Sequence, residues 1–238
     1  KALRERRVES LADPAAMESF LDELSSANGV VSVLASPVER PVLTGLRTNL
    51  YMVFMDTTWR HCDENGIVGL IHPESHFADP NGGELRRQTY GRLRRHWQLL
   101  NGLFLFEDVN DKTVFGLHIS GQPRTSHFLQ ASYLFHPDMV DRSLLHDGSG
   151  GSPGIQHPAG GWDLRPHRSR LVEVDLNVLT DWAELFDEPG TPAAEARLLR
   201  PVTTADLEAL STLAQQPKRL ADHEYNWTQG WNETNAKR

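Results

Sequence analysis

Residues 65–77 read Asn65-Gly66-Ile67-Val68-Gly69-Leu70-Ile71-His72-Pro73-Glu74-Ser75-His76-Phe77. Gly66 and Pro73 bracket a short apolar run, Ile67 to Ile71, in which polar and apolar residues do not alternate. Such a run predicts a parallel strand covered on both faces, because a half-exposed strand alternates. Parallel strands need helices packed over them, so this stretch points to an α/β fold.

Helical patterns flank it. Upstream, Thr48 reads as the cap of a helix with Leu50, Tyr51, Val53, Phe54 and Thr57 on its inner face, stopped by Asn65-Gly66. Downstream, Leu85, Thr89, Leu93 and Trp97 recur four apart and predict a helix from Glu84 to about Trp97. Two strands follow, Leu99 to Phe106 and Thr113 to Ile119. Glu107 to Lys112 between them is too short for a parallel crossover, which needs a dozen or more residues, so the two form an antiparallel hairpin. These elements describe the closing half of an α/β sheet.

Farther upstream, Asp13-Pro14 opens a helix carrying Met17, Phe20, Leu21 and Leu24, ended by Asn28-Gly29. From Ser126 the pattern loosens. Asp147 to Gly161 is rich in glycine and proline and reads as an exposed loop. Arg170 to Val174 reads as a strand, and Leu176–Phe186 and Thr204–Ala214 as helices, the last capped by Thr203 or Thr204. Trp227 and Trp231 stand in the tail. The chain thus divides into an α/β part, 1–125, and a loop-rich part, 126–238.

Composition limits the function classes. Of 238 residues, 24 are Lys or Arg and 32 Asp or Glu, so 24 − 32 gives a net charge of −8. With 39% hydrophobic and 24% charged residues, the chain reads as soluble and globular. No apolar run approaches the roughly 20 residues of a membrane span, so no membrane partner is expected. Cys62 is the single cysteine, which excludes an internal disulfide and fits a cytoplasmic protein. The first residue is Lys1, not Met, which suggests an internal position of a longer protein. The acidic balance weighs against nucleic-acid binding by the whole surface but not by a local patch.

Arginine outnumbers lysine 20 to 4, and its clustering carries the functional signal. Arg86, Arg87, Arg92, Arg94 and Arg95 fall within ten positions. On a helix whose leucine and tryptophan stripe faces inward they spread over the outer surface, as a solvated face or as phosphate contacts. Arg165, His167, Arg168 and Arg170 form a second cluster open to the same two readings. Phe104 and Phe106 end the second strand. Core packing suits Phe104, whereas Phe106 could stand in a cleft at the carboxyl edge, where open α/β sheets place ligands, and stack on a nucleobase. The eleven histidines offer no His-x3-His pair on a predicted helix, His72 and His76 flank a loop, and no Cys-x2-Cys occurs. No metal site is therefore expected. Ser75 lacks the Gly-x-Ser-x-Gly setting of a nucleophile elbow.

Together, Thr48-Asn49-Leu50-Tyr51-x-x-Phe54 and Asn65-Gly66-Ile67-Val68-Gly69-Leu70-Ile71-His72-Pro73-Glu74-Ser75-x-Phe77 resemble the second half of the N6-adenine-specific DNA methyltransferases. The nearest likeness is to large methylases of bacterial restriction and phage-defence systems, type II bifunctional and DISARM-type. Arg94-Arg95-His96-Trp97-Gln98-x-x-Asn101-x-Leu103-x-Leu105-Phe106-Glu107 and Phe115-Gly116-Leu117-His118-Ile119 resemble the family's closing hairpin. The likeness covers about residues 45–120. It implies the second half of a Rossmann-like, S-adenosylmethionine-dependent methyltransferase sheet with an antiparallel terminal hairpin, acting on double-stranded DNA. Other defence-system subunits would be further partners.

In that reading Phe106 stacks on a flipped-out adenine, and Arg86, Arg87, Arg94, Arg95, Arg165 and Arg168 contact DNA. Asn49, Tyr51 and Pro73 brace the cofactor cleft, and residues from about 126 lead into a target-recognition region. The family's S-adenosylmethionine glycine loop and its Asn/Asp-Pro-Pro-aromatic tetrapeptide do not occur in this sequence and would precede residue 1. No catalytic residue is therefore expected in the segment, which alone would be inactive. The competing reading is a non-catalytic DNA- or protein-binding module with a degenerate methyltransferase-like fold.

Overall fold

The computed structural model describes residues 4–6, 12–47, 49–218, 222 and 224. Thr48, Trp227 and Trp231 lie outside the described residues. Among the described residues, five strands, β1 (Val68–His72), β2 (Leu93–Leu100), β3 (Val114–Ser120), β4 (His127–Leu134) and β5 (Val172–Asp175), form one sheet in the order β1-β3-β2-β4-β5. β3 is antiparallel to both β1 and β2, β2 and β4 run parallel, and β5 pairs antiparallel with β4. The chain is therefore α/β with a mixed sheet. The β2–β3 pair is antiparallel as expected, but it is joined by the longer connection 101–113 and lies inside the sheet, between β1 and β4, rather than at its end.

Among the described residues, the sheet is accompanied by α1 (Pro14–Leu34), α2 (Leu50–Arg60), α3 (Gly83–Arg92), α4 (Asp138–Leu144), α5 (Leu176–Phe186) and α6 (Thr204–Ala214). On one face Tyr90 of α3 and Leu179 and Trp182 of α5 pack with Phe77, Leu93, Phe128, Val172 and Val174. α2 joins the same side through Tyr51, Met52 and Met55, which bury Leu43 and Leu85 beside Leu70. The other face packs Trp97, Leu99, Ala131 and Leu134 under Met139 and Val140 of α4. The compositional division at 125/126 falls between β3 and β4, so residues on both sides of it share one sheet. No helix among the described residues is long and apolar enough to cross a membrane.

Several expectations are corrected. β1 is neither parallel nor covered on both sides: it is an edge strand, antiparallel to β3, with Ile71 59% exposed. The helix expected to reach Trp97 ends at Arg92, and Leu93–Leu100 is β2. Gly91 weakens the helix where the β2–β3 and β2–β4 ladders offer the backbone a full set of partners, and tertiary pairing overrides propensity. The second strand consequently ends at Leu100, not Phe106. Asn28-Gly29 does not stop α1, which continues to Leu34; a helical glycine costs only about 1 kcal/mol. Leu50 and Phe54 face solvent rather than the core.

The arginines of α3 show how the fold consumes charge. Arg86 is 3% exposed. Its guanidinium donates to the carbonyls of Glu195 (2.7 Å), Asp79 (2.5 Å) and His76 (3.2 Å), tying α3 to the loop after β1 and to a segment 109 residues away. Removing it strands buried carbonyl oxygens and opens a cavity. Arg86→Ala should therefore lower unfolding stability by about 2–4 kcal/mol, read as a fall in the urea midpoint. Arg86→Lys should recover less than half of that loss, because an ammonium cannot span the fork. A midpoint unchanged by Arg86→Ala would contradict this structural role.

Candidate functional site

β1, β2 and β4 end at the same edge of the sheet, and β3 begins there, since His72 pairs with Gly116, Leu100 with Val114 and Leu99 with Leu134. At this carboxyl edge, Pro73, Glu74, Ser75 and Ala78 from the β1 exit, Gln98, Val114, Tyr133 and Arg200 enclose a cleft of about 460 Å³. Tyr133 reaches it through strain. Between Trp97/Ala131 and Leu99/Leu134 the parallel ladder slips by one residue, a bulge in β4, and Tyr133 takes φ +55°. A non-glycine residue in the left-handed region costs of order 1 kcal/mol or more, and bulges concentrate beside sites where they re-aim a side chain.

Beneath the cleft lies a buried polar centre. His96 and His118 are direct cross-strand partners on β2 and β3, and both are buried. Their rings face the Glu74 carboxylate delivered by the β1 exit. Glu74 Oε1 is hydrogen-bonded to His96 Nε2 and lies 3.9 Å from His118 Nε2. Gln98 Nε2 donates to Oε2 at 2.7 Å and Arg200 reaches the same oxygen at 3.4 Å. Gly116 makes the space: a Cβ there would collide with the His118 ring and come 2.5 Å from Glu74 Oε1. His72 stacks on His118 with ring centroids 3.9 Å apart, and its Nδ1 donates to the Pro73 carbonyl at 2.7 Å.

Electrostatics follow from burial. Desolvation alone would raise the Glu74 pKa, but the charge and hydrogen bond of His96, the Gln98 amide and Arg200 outweigh it and hold the carboxyl down to about 2. His118 and His76 are pushed well below the ordinary histidine range by burial and by neighbouring imidazoles, and His72 is lowered by burial. The centre is thus an ionised carboxylate beside three imidazoles, His72, His76 and His118, that burial disposes to stay neutral. Both ring nitrogens of His118, together with His96 Nδ1, His72 Nε2 and His76 Nε2, are buried without a hydrogen-bond partner.

The residues singled out by sequence are dispersed. Phe106 sits in the β2–β3 connection at the carboxyl edge, 43% exposed, its ring edge-on to Phe115 with centroids 5.1 Å apart. The fully buried Asn101, quoted in the hairpin motif but given no role there, holds it: Asn101 Oδ1 accepts from the Phe106 amide, and Nδ2 donates to the Phe106 and Val109 carbonyls. Phe104 is exposed at φ +54°, not in the core. Asn49 caps α2 by accepting from the Tyr51 amide. The Tyr51 hydroxyl meets Ser75 Oγ at 2.8 Å and accepts from the His76 amide at 3.0 Å, which ties α2 to the turn after Pro73.

The arginines do not form a surface. Arg86 is buried, and Arg94, extruded at a bulge in β2, donates to the Arg92, Leu93 and Gln122 carbonyls. Arg87 is paired with Glu84, and Arg165 with the buried Asp163 at 2.6 Å. Only Arg95 and Arg168 are exposed without such engagement among these six, and Arg95 lies at the amino end of β2, away from Phe106. The expectation of no metal grouping rested on spacing along the chain. The fold brings the ligand atoms of Glu74, His96 and His118 within 4.8 Å of one another.

The lowered pKa values fix a sign. Glu74, His72, His76 and His118 each bind protons less readily folded than unfolded. Their stabilisation is therefore complete above the unfolded values and is lost as pH falls, for the histidines from about 6.5 downward and for Glu74 from about 4.5 towards 2. The melting temperature should decline on acidification from about pH 7 to pH 5, and His118→Asn should flatten that slope. A melting temperature constant over this interval would show that the imidazoles are not held neutral in the fold. Comparison of the chain with protein-family models, with curated proteins and with solved structures finds no match.

Proposed function

We propose that this chain is the closing part of the catalytic domain of an N6-adenine-specific DNA methyltransferase, with Phe106 as the platform for an extruded adenine. The observation that carries the reading is the insertion of β3 between β1 and β2, antiparallel to both, which leaves the carboxyl ends of β1 and β2 on one rim with the Phe106 loop. An antiparallel β2–β3 pair is compatible with the hairpin implied by the resemblance, although here the pair is interior, flanked by β1 and β4, rather than terminal; β1, β2 and β3 all lie within the stretch that carries the likeness. The bare flank of β1 supports the same reading. Its apolar run is suited to cover on both faces, yet Ile71, and Ile67 just before the strand, are exposed here, as expected of a strand whose outer face takes further cover.

The chemistry assigned to this chain is limited. The amine of a paired adenine cannot be reached at the geometry of transfer inside a duplex, so the base must leave the stack. An exposed phenyl ring held by Asn101 and Phe115 offsets part of the lost stacking, about 1–3 kcal/mol per base. The cleft residues do not by themselves fit S-adenosylmethionine: no glycine-rich turn follows a strand there, and the Glu74 carboxylate is already engaged by His96, Gln98 and Arg200. No methyl-transfer step is assigned to them. A bacterial restriction or phage-defence setting is what the resemblance implies.

The test uses the full-length protein. It should transfer labelled methyl groups from S-adenosylmethionine to adenine in duplex DNA. Phe106→Ala should lower kcat/KM roughly tenfold to a hundredfold, with a smaller change in overall DNA affinity. Phe106→Tyr should retain most activity, and 2-aminopurine fluorescence at the target position should report reduced extrusion in the alanine variant. Unchanged turnover in Phe106→Ala would remove the ring from this role, and absence of adenine methylation by the full-length protein would overturn the assignment.

A further inference from the structure

We propose that Glu74, His96 and His118 form a binding site for a divalent transition-metal ion of the zinc type, an assignment independent of the methyltransferase reading. The donor set is one carboxylate and two imidazoles, a combination that suits zinc and related first-row ions rather than magnesium or calcium. Its three ligand atoms lie within 4.8 Å of one another. Shifts of about an ångström would bring them to about 2.0–2.2 Å from a common centre.

The polar inventory of the site supports an ion over a simple hydrogen-bonded pair. A His96–Glu74 hydrogen bond satisfies one nitrogen and one oxygen. It leaves His118, 4% exposed and 3.9 Å from Glu74 Oε1, with neither ring nitrogen partnered. An imidazole sealed between other rings without a donor or acceptor is costly, and a cation beside His118 Nε2 supplies the missing partner. On binding, the ion takes the place of the proton shared between His96 Nε2 and Glu74 Oε1. That proton passes to solvent or to His96 Nδ1, leaving three ligand lone pairs on the metal.

The surroundings are arranged for it. Gln98 and Arg200 both engage Oε2 of Glu74, which orients Oε1 towards the imidazoles in the manner of outer-sphere partners. Gly116 leaves room where any side chain would enter the site. Glu74 also lines the carboxyl-edge cleft, so three protein ligands would face a fourth position approachable from that side, as in zinc sites that keep one position open.

The experiment strips the full-length protein with a chelator and titrates it with Zn2+ by calorimetry, and with Co2+ by visible ligand-field absorption. One Zn2+ per chain is expected, together with a Co2+ spectrum of a mixed imidazole–carboxylate site and no competition from Mg2+. Glu74→Gln and His118→Gln should each weaken binding more than ~100-fold, and Gln98→Leu about 10–100-fold at unchanged stoichiometry. His127→Gln and His136→Gln, on exposed histidines, should leave affinity unaltered. No stoichiometric uptake by the wild-type protein, undiminished affinity in a folded His118→Gln, or loss in His127→Gln would overturn the proposal. If the ligand variants fail to fold, the wild-type Co2+ spectrum decides: a site without imidazole ligands refutes it.

Discussion

A single buried carboxylate organises the centre of this fold. Glu74 leaves β1 at the moment the chain passes over the carboxyl edge, and its charge is carried into the interior. An unpaired carboxylate there would be prohibitively unstable, so every neighbour is constrained to answer it. β2 supplies His96 and Gln98, β3 supplies the gap at Gly116 and the ring of His118, and the segment after α5 supplies Arg200. Strand order serves the same centre. With β3 between β1 and β2, His72, His96 and His118 lie on one face beside the β1 exit. The polar centre lies between two apolar clusters, one around Tyr90 and Trp182, the other around Tyr51 and Met55, and these supply the burial that the centre itself forgoes.

How much of this was legible in the sequence depends on how local the deciding physics is. α5 and α6 match the expected Leu176–Phe186 and Thr204–Ala214 because their stop and start signals are local. The Asp175 side chain accepts from the Asn177 and Val178 amides, and Thr203 and Asp206 form a capping box. The antiparallel pairing of β2 and β3 agrees with expectation, but the connection is 101–113 rather than the short 107–112 from which it was predicted. β2 itself was not legible. Leu85, Thr89, Leu93 and Trp97 do keep a helical period, but Leu93 and Trp97 belong to a strand stabilised by neighbours on both sides. That error hid the candidate site as well. On a helix His96 bears no relation to His118, whereas in register across an antiparallel ladder they are partners. Gly91, immediately before the true boundary, was the available signal.

The arginines carry a second lesson about reading charge from sequence. A cluster of guanidiniums in an acidic chain invites a polyanion, yet here most of them close the structure. Arg86 and Arg170 are buried and donate to backbone carbonyls; Arg170 reaches those of Arg165, Gly154 and Asp163 and so folds the glycine-rich loop onto itself. A fork of five donors suits a loop that has few backbone partners of its own. Long irregular segments leave carbonyls unmet, and arginine is the side chain that meets several at once. Richness in arginine beside irregular chain is therefore weaker evidence for an external anion than the same richness on a regular helix.

Stability alone does not account for the centre. A buried charged or polar cluster is on average no more stable than well-packed apolar residues of the same volume, and often less. The sheet face around His96, Gln98, His118, Gln130 and Ser132 could have been filled as the opposite face is, with the likes of Trp97, Leu99 and Ala131. The strained bulge at Tyr133 adds a further cost at the same edge, and the Phe104 turn adds another. These costs gather at one rim, while the helices behind it are capped and their cores packed, and the proposed ion site would account for them. Five imidazole nitrogens of this centre have no hydrogen-bond partner among the protein groups, which is the demand that the proposed ion would answer in part.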